Sequence, residues 1–341
     1  MKFCLSILFV LCAIASGSVA QTSSPNDRAR YLAGLPVRNS AFDPLTRGGS
    51  YPEHVAYLNK SWAKKEGLAL NPVRSWAAGA GGDFHNRSGT LYYMFSGPDF
   101  LYAHSLFPNA STYILCGTEP VGNVPELTQI PRETLDASMA DLRRALNTML
   151  NFNYFVTKEM RVYLQGGQLG GTMPVLYVFL ARLGCTIQEV SLVSTPSTGV
   201  RIVFTGPNGG SKTLYYFKTD LSNGSSSGFL RWCASKGPGM SLLKADSYLL
   251  HNDGFSQVRR FILDNSRVIV QDDAGIPLRQ FDDRWTLRFY GDYAAPIELF
   301  KQYQQPDLAA AYQRSPRQPL SFAFGYHWQR ERAVLMVATR K

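Results

Sequence analysis

Apolar positions recur along the chain at two spacings, and each spacing predicts a different kind of element. Over residues 51–79, apolar side chains such as Leu58 and Trp62 lie three or four positions apart, which predicts a helical extension. Residues 131–152 keep this period and predict the clearest helix in the chain. Residues 91–95, by contrast, are continuously apolar, as expected of a strand that is covered on both faces.

Farther along, short apolar runs predict strands. Two of them with a turn over residues 187–220 predict a hairpin, which either joins the main sheet or stands apart from it. The next predicted strands are separated by helices of about ten residues, and one strand covers residues 240–253. This alternation predicts right-handed βαβ units and a parallel sheet. Three C-terminal segments are predicted as antiparallel edge strands: residues 283–293, 320–328 and 333–341.

The predicted fold class is therefore α/β. We expect a Rossmann-like, mainly parallel sheet with helices on both faces, an N-terminal helical extension and antiparallel C-terminal edge strands. Residues 51–341 are predicted to form this single domain, with the helical extension at 51–79. Residues 21–50 are polar and rich in Pro and Gly, and they are predicted to be an irregular segment.

The first twenty residues have one basic residue, an apolar run and small residues at Ser18 and Ala20. This arrangement predicts a secretory signal peptide that is cut near Ala20. The apolar run is too short to span a membrane, and no later segment keeps a long uncharged apolar run. We therefore expect a soluble protein that is secreted or periplasmic, without a transmembrane segment in the mature chain.

The chain has 341 residues and a formal net charge of +10. Its lysines and arginines are scattered and often stand beside acids, and no block of like charges occurs. This distribution argues against a function in nucleic-acid binding. The expected partners of such a basic exported protein are anionic envelope polymers or lipid headgroups, which it would meet by unspecific attraction.

Three cysteines follow the predicted cleavage point: Cys116, Cys185 and Cys233. An odd number outside the cell permits either one disulfide with a free thiol or three buried thiols. Their spacing does not match a zinc site. Cys116 lies inside an apolar strand, where a small buried thiol is the usual case, although a nucleophile is the alternative.

Acidic side chains follow several of the predicted strands. In an open parallel sheet, ligands lie beyond the carboxyl ends of the strands, where loop amides and helix N-termini converge. If a catalytic site lies there, its predicted residues are Asp99, Glu119 and His251, with Asp220, Asp253 or Asp273 beside them. Asp272 belongs to the same predicted rim. Each acid also has an alternative interpretation as a helix cap or a turn residue.

The predicted site permits two kinds of chemistry. His251 would act as a base that Asp253 or Asp273 orients. Crowded carboxylates raise one another's pKa, so that one can donate a proton while another accepts it. The same carboxylates would alternatively hold a divalent cation such as Mg²⁺ or Ca²⁺.

Residues 92–122 run from an apolar strand through Gly97 and a short helix into a second strand and Glu119. Gly97 and Glu119 are about twenty residues apart, as in dinucleotide or S-adenosylmethionine sites where an acid binds the ribose hydroxyls. The stretch resembles the first βαβ unit of a class I methyltransferase, and this resemblance implies a Rossmann-like fold. It departs from the family at Pro98, which follows a lone glycine where the family has several. No cofactor is therefore predicted.

The glycine-rich segment 165–174 precedes a predicted helix. Free amides at such a position can bind phosphate or carboxylate. The segment lacks the lysine and the following Ser or Thr of a nucleotide-binding P-loop. Its alternative interpretation is a flexible cap in which Thr172 begins the helix.

Standard catalytic signatures such as GxSxG and HExxH are missing. We expect a non-enzymatic envelope or secreted binding protein without a cofactor. The alternative is a hydrolase with a carboxylate-rich site, with or without a divalent metal, at the carboxyl ends of the strands. Geometry separates the two classes, because catalysis needs at least two of the acids within direct reach of one another in a pocket. Acids that are each bonded to their own amides favour the binding protein.

Overall fold

The computed structural model describes residues 23–79, 84–152, 162, 167–245, 248–316, 318–327 and 332–341. The predicted signal peptide lies outside these residues. Within them, nine strands form one sheet in the order β3-β4-β5-β2-β1-β6-β7-β9-β8. The strands are β1 (Thr90–Tyr93), β2 (Thr112–Gly117), β3 (Thr186–Val193), β4 (Gly199–Thr205), β5 (Ser211–Lys218), β6 (Gly239–Leu243), β7 (Ser266–Gln271), β8 (Trp285–Gly291) and β9 (Val334–Arg340).

The sheet is mixed. Its centre, from β5 through β2, β1 and β6 to β7, is parallel. At one edge, β3 and β4 form an antiparallel hairpin that continues the main sheet beside β5. At the other edge, β9 runs antiparallel to both β7 and β8. The predictions of an α/β fold and of antiparallel C-terminal edge strands are confirmed.

Helices cover both faces of this sheet. Leu91 and Tyr93 of β1 pack in the cluster that holds α1 and α3 to α7, whereas Tyr92 and Met94 pack with α8 and α9. Two of these helices, α3 and α4, lie in the predicted helical extension. The described helices are α1 (Pro25–Leu32), α2 (Asp43–Thr46), α3 (Tyr51–Lys65), α4 (Asn71–Gly79), α5 (Phe100–Leu106), α6 (Arg132–Phe152), α7 (Met173–Arg182), α8 (Ser227–Ala234), α9 (Ser256–Asn265) and α10 (Pro306–Arg314).

Residues 21–50 were predicted to be irregular, and this prediction is wrong where the described part forms the helices α1 and α2. α1 begins after Ser24, whose hydroxyl accepts a hydrogen bond from the amide of Asp27. Tyr31 and Phe42 are buried, and their ring centroids lie 5.3 Å apart. The polar composition obscured this helix because its few apolar side chains all face the core.

Two predicted strands also need correction. The strand predicted over residues 240–253 ends at Leu243, because Ala245 and Tyr248 have φ of +54° and +59° and interrupt the extended backbone. The described part of the segment 320–328 forms only an isolated bridge instead of the predicted strand.

Candidate functional site

The loops that follow β1, β2, β6 and β7, here called the carboxyl edge, contain unusual backbone conformations. Among the described residues, the non-glycine residues with positive φ are Phe95 (+60°), Ala245 (+54°) and Tyr248 (+59°). Phe95 follows β1, and the other two follow β6, the neighbouring strand. Such conformations cost about 1–3 kcal/mol each and persist only where the surroundings enforce them. The residues around these two positions therefore form the candidate region for a site.

Asp99 connects the two loops. It is the N-cap of α5, where its Oδ1 accepts a hydrogen bond from the amide of Tyr102 (3.2 Å). Its Oδ2 accepts a hydrogen bond from the hydroxyl of Tyr93 (2.9 Å) and lies 2.8 Å from Nζ of Lys244. Both members of this ion pair are buried. The carboxylate is thus at once a helix cap and the partner of a buried cation.

Lysines that sequence reasoning missed complete this cluster. Nζ of Lys244 lies 4.3 Å from the ring centroid of Tyr102, and Nζ of Lys65 lies 5.1 Å from it. Lys65 also donates a hydrogen bond to the carbonyl of Met149 (3.0 Å), and burial, with the nearby charge of Lys244, lowers its pKa to about 7. A signal existed, because Lys65 is seven positions after Leu58 and hence on the apolar stripe of α3.

Glu119 lies where the loop after β2 meets the loop after β1. The buried hydroxyl of Tyr216 is 3.0 Å from the carbonyl oxygen of Glu119 and 3.2 Å from its Oε2. A Cβ atom on Gly97 would lie 3.7 Å from this Oε2, and one on Gly117 only 2.3 Å from it. The structure therefore brings Gly97 and Glu119 together, and it leaves no room for a side chain at Gly117.

Asp272 follows β7, as predicted, and binds two backbone amides. It accepts hydrogen bonds from the amides of Ala245 (2.9 Å) and Ala274 (3.0 Å). Burial, and then the neighbouring charge of Asp273, raise its pKa to about 7. The bond to Ala245 holds the backbone directly after β6 against the end of β7.

Asp273 bonds a different set of groups. Its Oδ2 accepts a hydrogen bond from the hydroxyl of Tyr248 (2.6 Å), and its Oδ1 lies 3.1 Å from Nε2 of His327. Burial alone would lower the pKa of His327, but the hydrogen bond to Asp273 and the charges of Asp273 and Asp272 together raise it. His327 was assigned to a predicted strand, so sequence reasoning missed this pair.

The sequence predicted His251 at the end of a strand, but the structure does not place it there. It ends a short 3₁₀ helix beyond the strained loop. Its ring centroid lies 5.2 Å from that of Tyr248 and 5.5 Å from that of Tyr303. Nε2 is buried without a hydrogen-bond partner, and burial, followed by the charge of Arg279, lowers the pKa to about 4. The histidine therefore contacts Tyr248. The backbone of Gly275 and the charge and backbone of Asp273 oppose the lowering of its pKa, so the structure does bring His251 near Asp273.

Asp220 and Asp253 do not join the buried cluster. Asp220 accepts hydrogen bonds from the amide (2.9 Å) and hydroxyl (2.8 Å) of Ser222, and these bonds lower its pKa. This is the turn role that was its alternative interpretation. The Asp253 side chain is fully exposed, 3.7 Å from a nitrogen of Arg259.

The described part of the glycine-rich segment packs against the loop after β2. A Cβ atom on Gly122 would lie 1.9 Å from the carbonyl oxygen of Gly170, so the two backbones touch. The amide of Thr172 donates a hydrogen bond to the carbonyl of Pro120 (2.9 Å). Thr172 is the N-cap of α7, as expected, but its hydroxyl makes no capping bond and instead bonds the same loop. The glycines thus serve close backbone packing.

Cys116, Cys185 and Cys233 are free and buried, which agrees with the second cysteine alternative. Burial raises the pKa of the Cys116 thiol to about 12, so that it is a poor nucleophile at neutral pH. Within the described ranges, three or more metal-ligating His, Cys, Asp or Glu side chains do not come together at any point.

None of the helices in the described part of the chain combines the length and apolarity needed to cross a membrane. Comparison with known proteins gives no further assignment. No protein-family model matches the chain, and searches of curated proteins and of solved structures also find no match.

Proposed function

We propose that this chain is an exported, non-enzymatic binding protein with a Rossmann-like core. Its ligand site would lie where the loops after β1, β2 and β6 meet. If the five central strands are numbered in chain order, their spatial order is 3-2-1-4-5. This order equals the first five positions of the Rossmann sheet, in which ligands bind beyond the strand ends where the order reverses. Here the order reverses between β1 and β6.

The observation that carries this proposal is the strained backbone at this reversal. Phe95 follows β1, and Ala245 and Tyr248 follow β6, all with positive φ. Backbone strain of this kind concentrates at ligand clamps and active sites. The buried ion pair between Asp99 and Lys244 joins the loop after β1 to the backbone after β6 and so fixes their relative position.

Binding is favoured over hydrolysis because the buried carboxylates already have partners. Asp99 is bonded to Lys244, Asp272 to two backbone amides and Asp273 to Tyr248 and His327. A carboxylate engaged in this way has little freedom to activate water. The net charge of +10 supports unspecific attraction to anionic envelope polymers or lipid headgroups as a second, weaker interaction.

A hydrolase remains the second candidate, and one observation favours it. Asp272 and Asp273 are adjacent, the pKa of Asp272 is raised to about 7, and His327 contacts Asp273. Such a group can hold a proton near neutral pH and transfer it. This candidate predicts turnover of ester, phosphoester or glycoside substrates that is lost in the Asp273→Asn variant.

Thermal-shift titration tests the binding proposal with four probes: adenosine, ATP, glucose and glutamate. We expect one of them to raise the melting temperature saturably in the parent and to lose this effect in Gly97→Val. Gly224→Val is the matched control, because Gly224 also has a positive φ (+87°) but no atom within 4 Å of the added Cβ. An unchanged gain in Gly97→Val, or no gain with any probe, would contradict the proposed site.

A further inference from the structure

The two outermost strands of the sheet differ in how their outer sides are protected. β8 is one of them, and it carries the exposed side chain of Arg288 in its middle. The amide of Gly291, at the end of β8, donates a hydrogen bond to the carbonyl of Gln318 (2.7 Å), which lies outside the sheet. A charged side chain and a covering segment are two of the devices that keep an outer strand from pairing with another chain. The outer side of β8 is therefore blocked.

β3 is the other outermost strand, and α1 bonds its first part. The amide of Ile187 donates a hydrogen bond to Oδ1 of Asn26 in α1 (3.2 Å). Residues 189–193, here called the open segment, follow a bulge and pair regularly with β4 on their inner side. Among the described residues, no group outside the sheet makes a hydrogen bond to the backbone of the open segment. The segment also contains no lysine, arginine or proline. It therefore offers backbone groups to a further strand.

The side chains of the open segment fit such a strand. Leu192 is 66% exposed. Val190 is half-buried beside the cluster that holds α1, and it shares a face of the sheet with Leu192 because the two are separated by one residue. Glu189 supplies the one charge of the segment, and its Oε1 already accepts a hydrogen bond from Arg201 of β4 (2.7 Å). The open segment thus combines free backbone groups, an exposed apolar side chain and a charge that is balanced within the chain.

We infer that the open segment pairs with the same segment of a second copy of this chain, antiparallel and about a twofold axis at Ser191. Of the possible centres, Ser191 alone pairs all five residues of the segment with one another. Val190 then lies opposite Leu192 of the second copy, and Leu192 opposite its Val190, so that each exposed leucine contacts an apolar side chain. Glu189 lies opposite Val193, and like charges do not face each other. The segment is in this way complementary to itself, as a twofold interface requires.

Sedimentation velocity of the mature full-length chain tests this inference. We expect the mass to rise from monomer to dimer between about 1 and 200 µM, because a single strand pair is a small and therefore weak interface. Leu192→Lys places a charge opposite an apolar side chain at both ends of the pairing and should weaken dimerisation by about tenfold or more. Leu68→Lys is the matched control, because Leu68 is also exposed (53%) but lies between α3 and α4. It should leave dimerisation unchanged.

Two results of this experiment would overturn the inference. One is a dimer that Leu192→Lys leaves as stable as in the parent. The other is a parent that stays monomeric over the whole concentration range, and the open segment would then be left for a strand of a different protein.

An introduced cysteine tests the position of the twofold axis. Facing residues of antiparallel strands have Cα atoms about 4.5–5.5 Å apart, which is within reach of a disulfide. Ser191→Cys should therefore form an intermolecular disulfide on mild oxidation, and the native Cys116, Cys185 and Cys233 are buried and should not compete. Glu189→Cys is the control, because an offset of four residues would hold its two copies about 13 Å apart.

Cross-linking of Glu189→Cys as readily as of Ser191→Cys would overturn the inference. The open segment is separated from the reversal between β1 and β6 by β4, β5 and β2. A failure of the inferred pairing would therefore leave the proposed function intact.

Discussion

The carboxyl and amino edges of the parallel strands differ in how their buried charged side chains are bonded. At the carboxyl edge, buried acids have partners within the protein: Asp99 is paired with Lys244, and Asp273 contacts His327. At the amino edge, Arg182 makes no ion pair with a carboxylate among the described residues, and one nitrogen each of Arg182 and His85 is buried without a partner, as Nε2 of His251 is at the carboxyl edge. The carboxyl edge also holds the strained backbone, whereas the turn between β4 and β5 uses glycines at positive φ.

A buried polar group that has a partner and one that lacks a partner should affect stability differently. A charge that is fully bonded inside the protein fixes the conformation of its surroundings, and its removal should appear as lost stability. A buried donor without a partner costs free energy, so its removal should leave stability unchanged or raise it. The following variants test this division from the largest expected effect to the smallest.

Lys244→Met should have the largest effect. It leaves the carboxylate of Asp99 buried without its cation, and such a loss costs about 3–5 kcal/mol in the free energy of unfolding. Urea unfolding monitored by fluorescence measures it. The control is Lys301→Met, which breaks an exposed pair with Glu298 and should cost less than about 1 kcal/mol. Equal losses in the two variants would refute the structural role of the buried pair.

Gly122→Ala tests the packing of the glycine-rich segment. The new methyl group would meet the carbonyl of Gly170, and φ is +69°, so the two costs together predict a loss of about 2–4 kcal/mol. Gly209→Ala, in the turn of the amino edge, has φ of +81° but open space around the added atom. The free energy of unfolding of this control should fall only by the cost of a positive φ for alanine, about 1–2 kcal/mol. If Gly122→Ala loses no more stability than this control, the close approach of the Gly122 and Gly170 backbones does not contribute to stability.

The contributions of His104, at the amino edge, and Asp272, at the carboxyl edge, to the pH dependence of stability should have opposite signs. At the amino edge, the pKa of His104 in the folded state is lowered to about 4 from 6.5, so its contribution is complete above pH 6.5 and is lost as pH falls through 4. When the pH falls from 6.5 to 4, the free energy of unfolding of His104→Phe should therefore decrease by about 2–3 kcal/mol less than that of the parent. Parallel unfolding curves for parent and variant would contradict this.

At the carboxyl edge, Asp272 has a raised pKa in the folded state, about 7. Its contribution is complete below the unfolded value near ~4 and is lost as pH rises through 7. Unfolding of Asp272→Asn and the parent should thus be compared from pH 4 to 7. The parent should lose stability relative to the variant over this window. A constant difference between the two proteins would mean that Asp272 titrates normally.

Asp253→Asn should have the smallest effect. The side chain is fully exposed and its contact with Arg259 is long, so the change in unfolding free energy should stay within about 0.5 kcal/mol. Chemical denaturation has the precision to detect a larger loss. A larger loss of unfolding free energy would mean that Asp253 makes contacts that its exposed position does not explain, and Asp253 would again be a candidate site residue.

The sequence allowed prediction of the strand-end acids but not of their partners. Asp272 and Asp273 follow β7 as expected, because apolar runs mark the core strands reliably. Lys244 stands directly after an apolar strand, and nothing local indicates that it turns inward to meet Asp99, far away in sequence. The early end of β6 was equally hidden, since the positive φ of Ala245 results from tertiary contacts that override local preference.

The most direct test of the paired-charge account is the melting temperature of the parent, Asp99→Asn and Glu119→Gln, each with and without millimolar Mg²⁺ or Ca²⁺. If the acids are bonded to their own partners, both variants melt below the parent, and neither cation changes any of the three values. Acids crowded around an empty cation site would give the reverse. The variants would then melt above the parent without metal, and the parent alone would gain stability when metal is added.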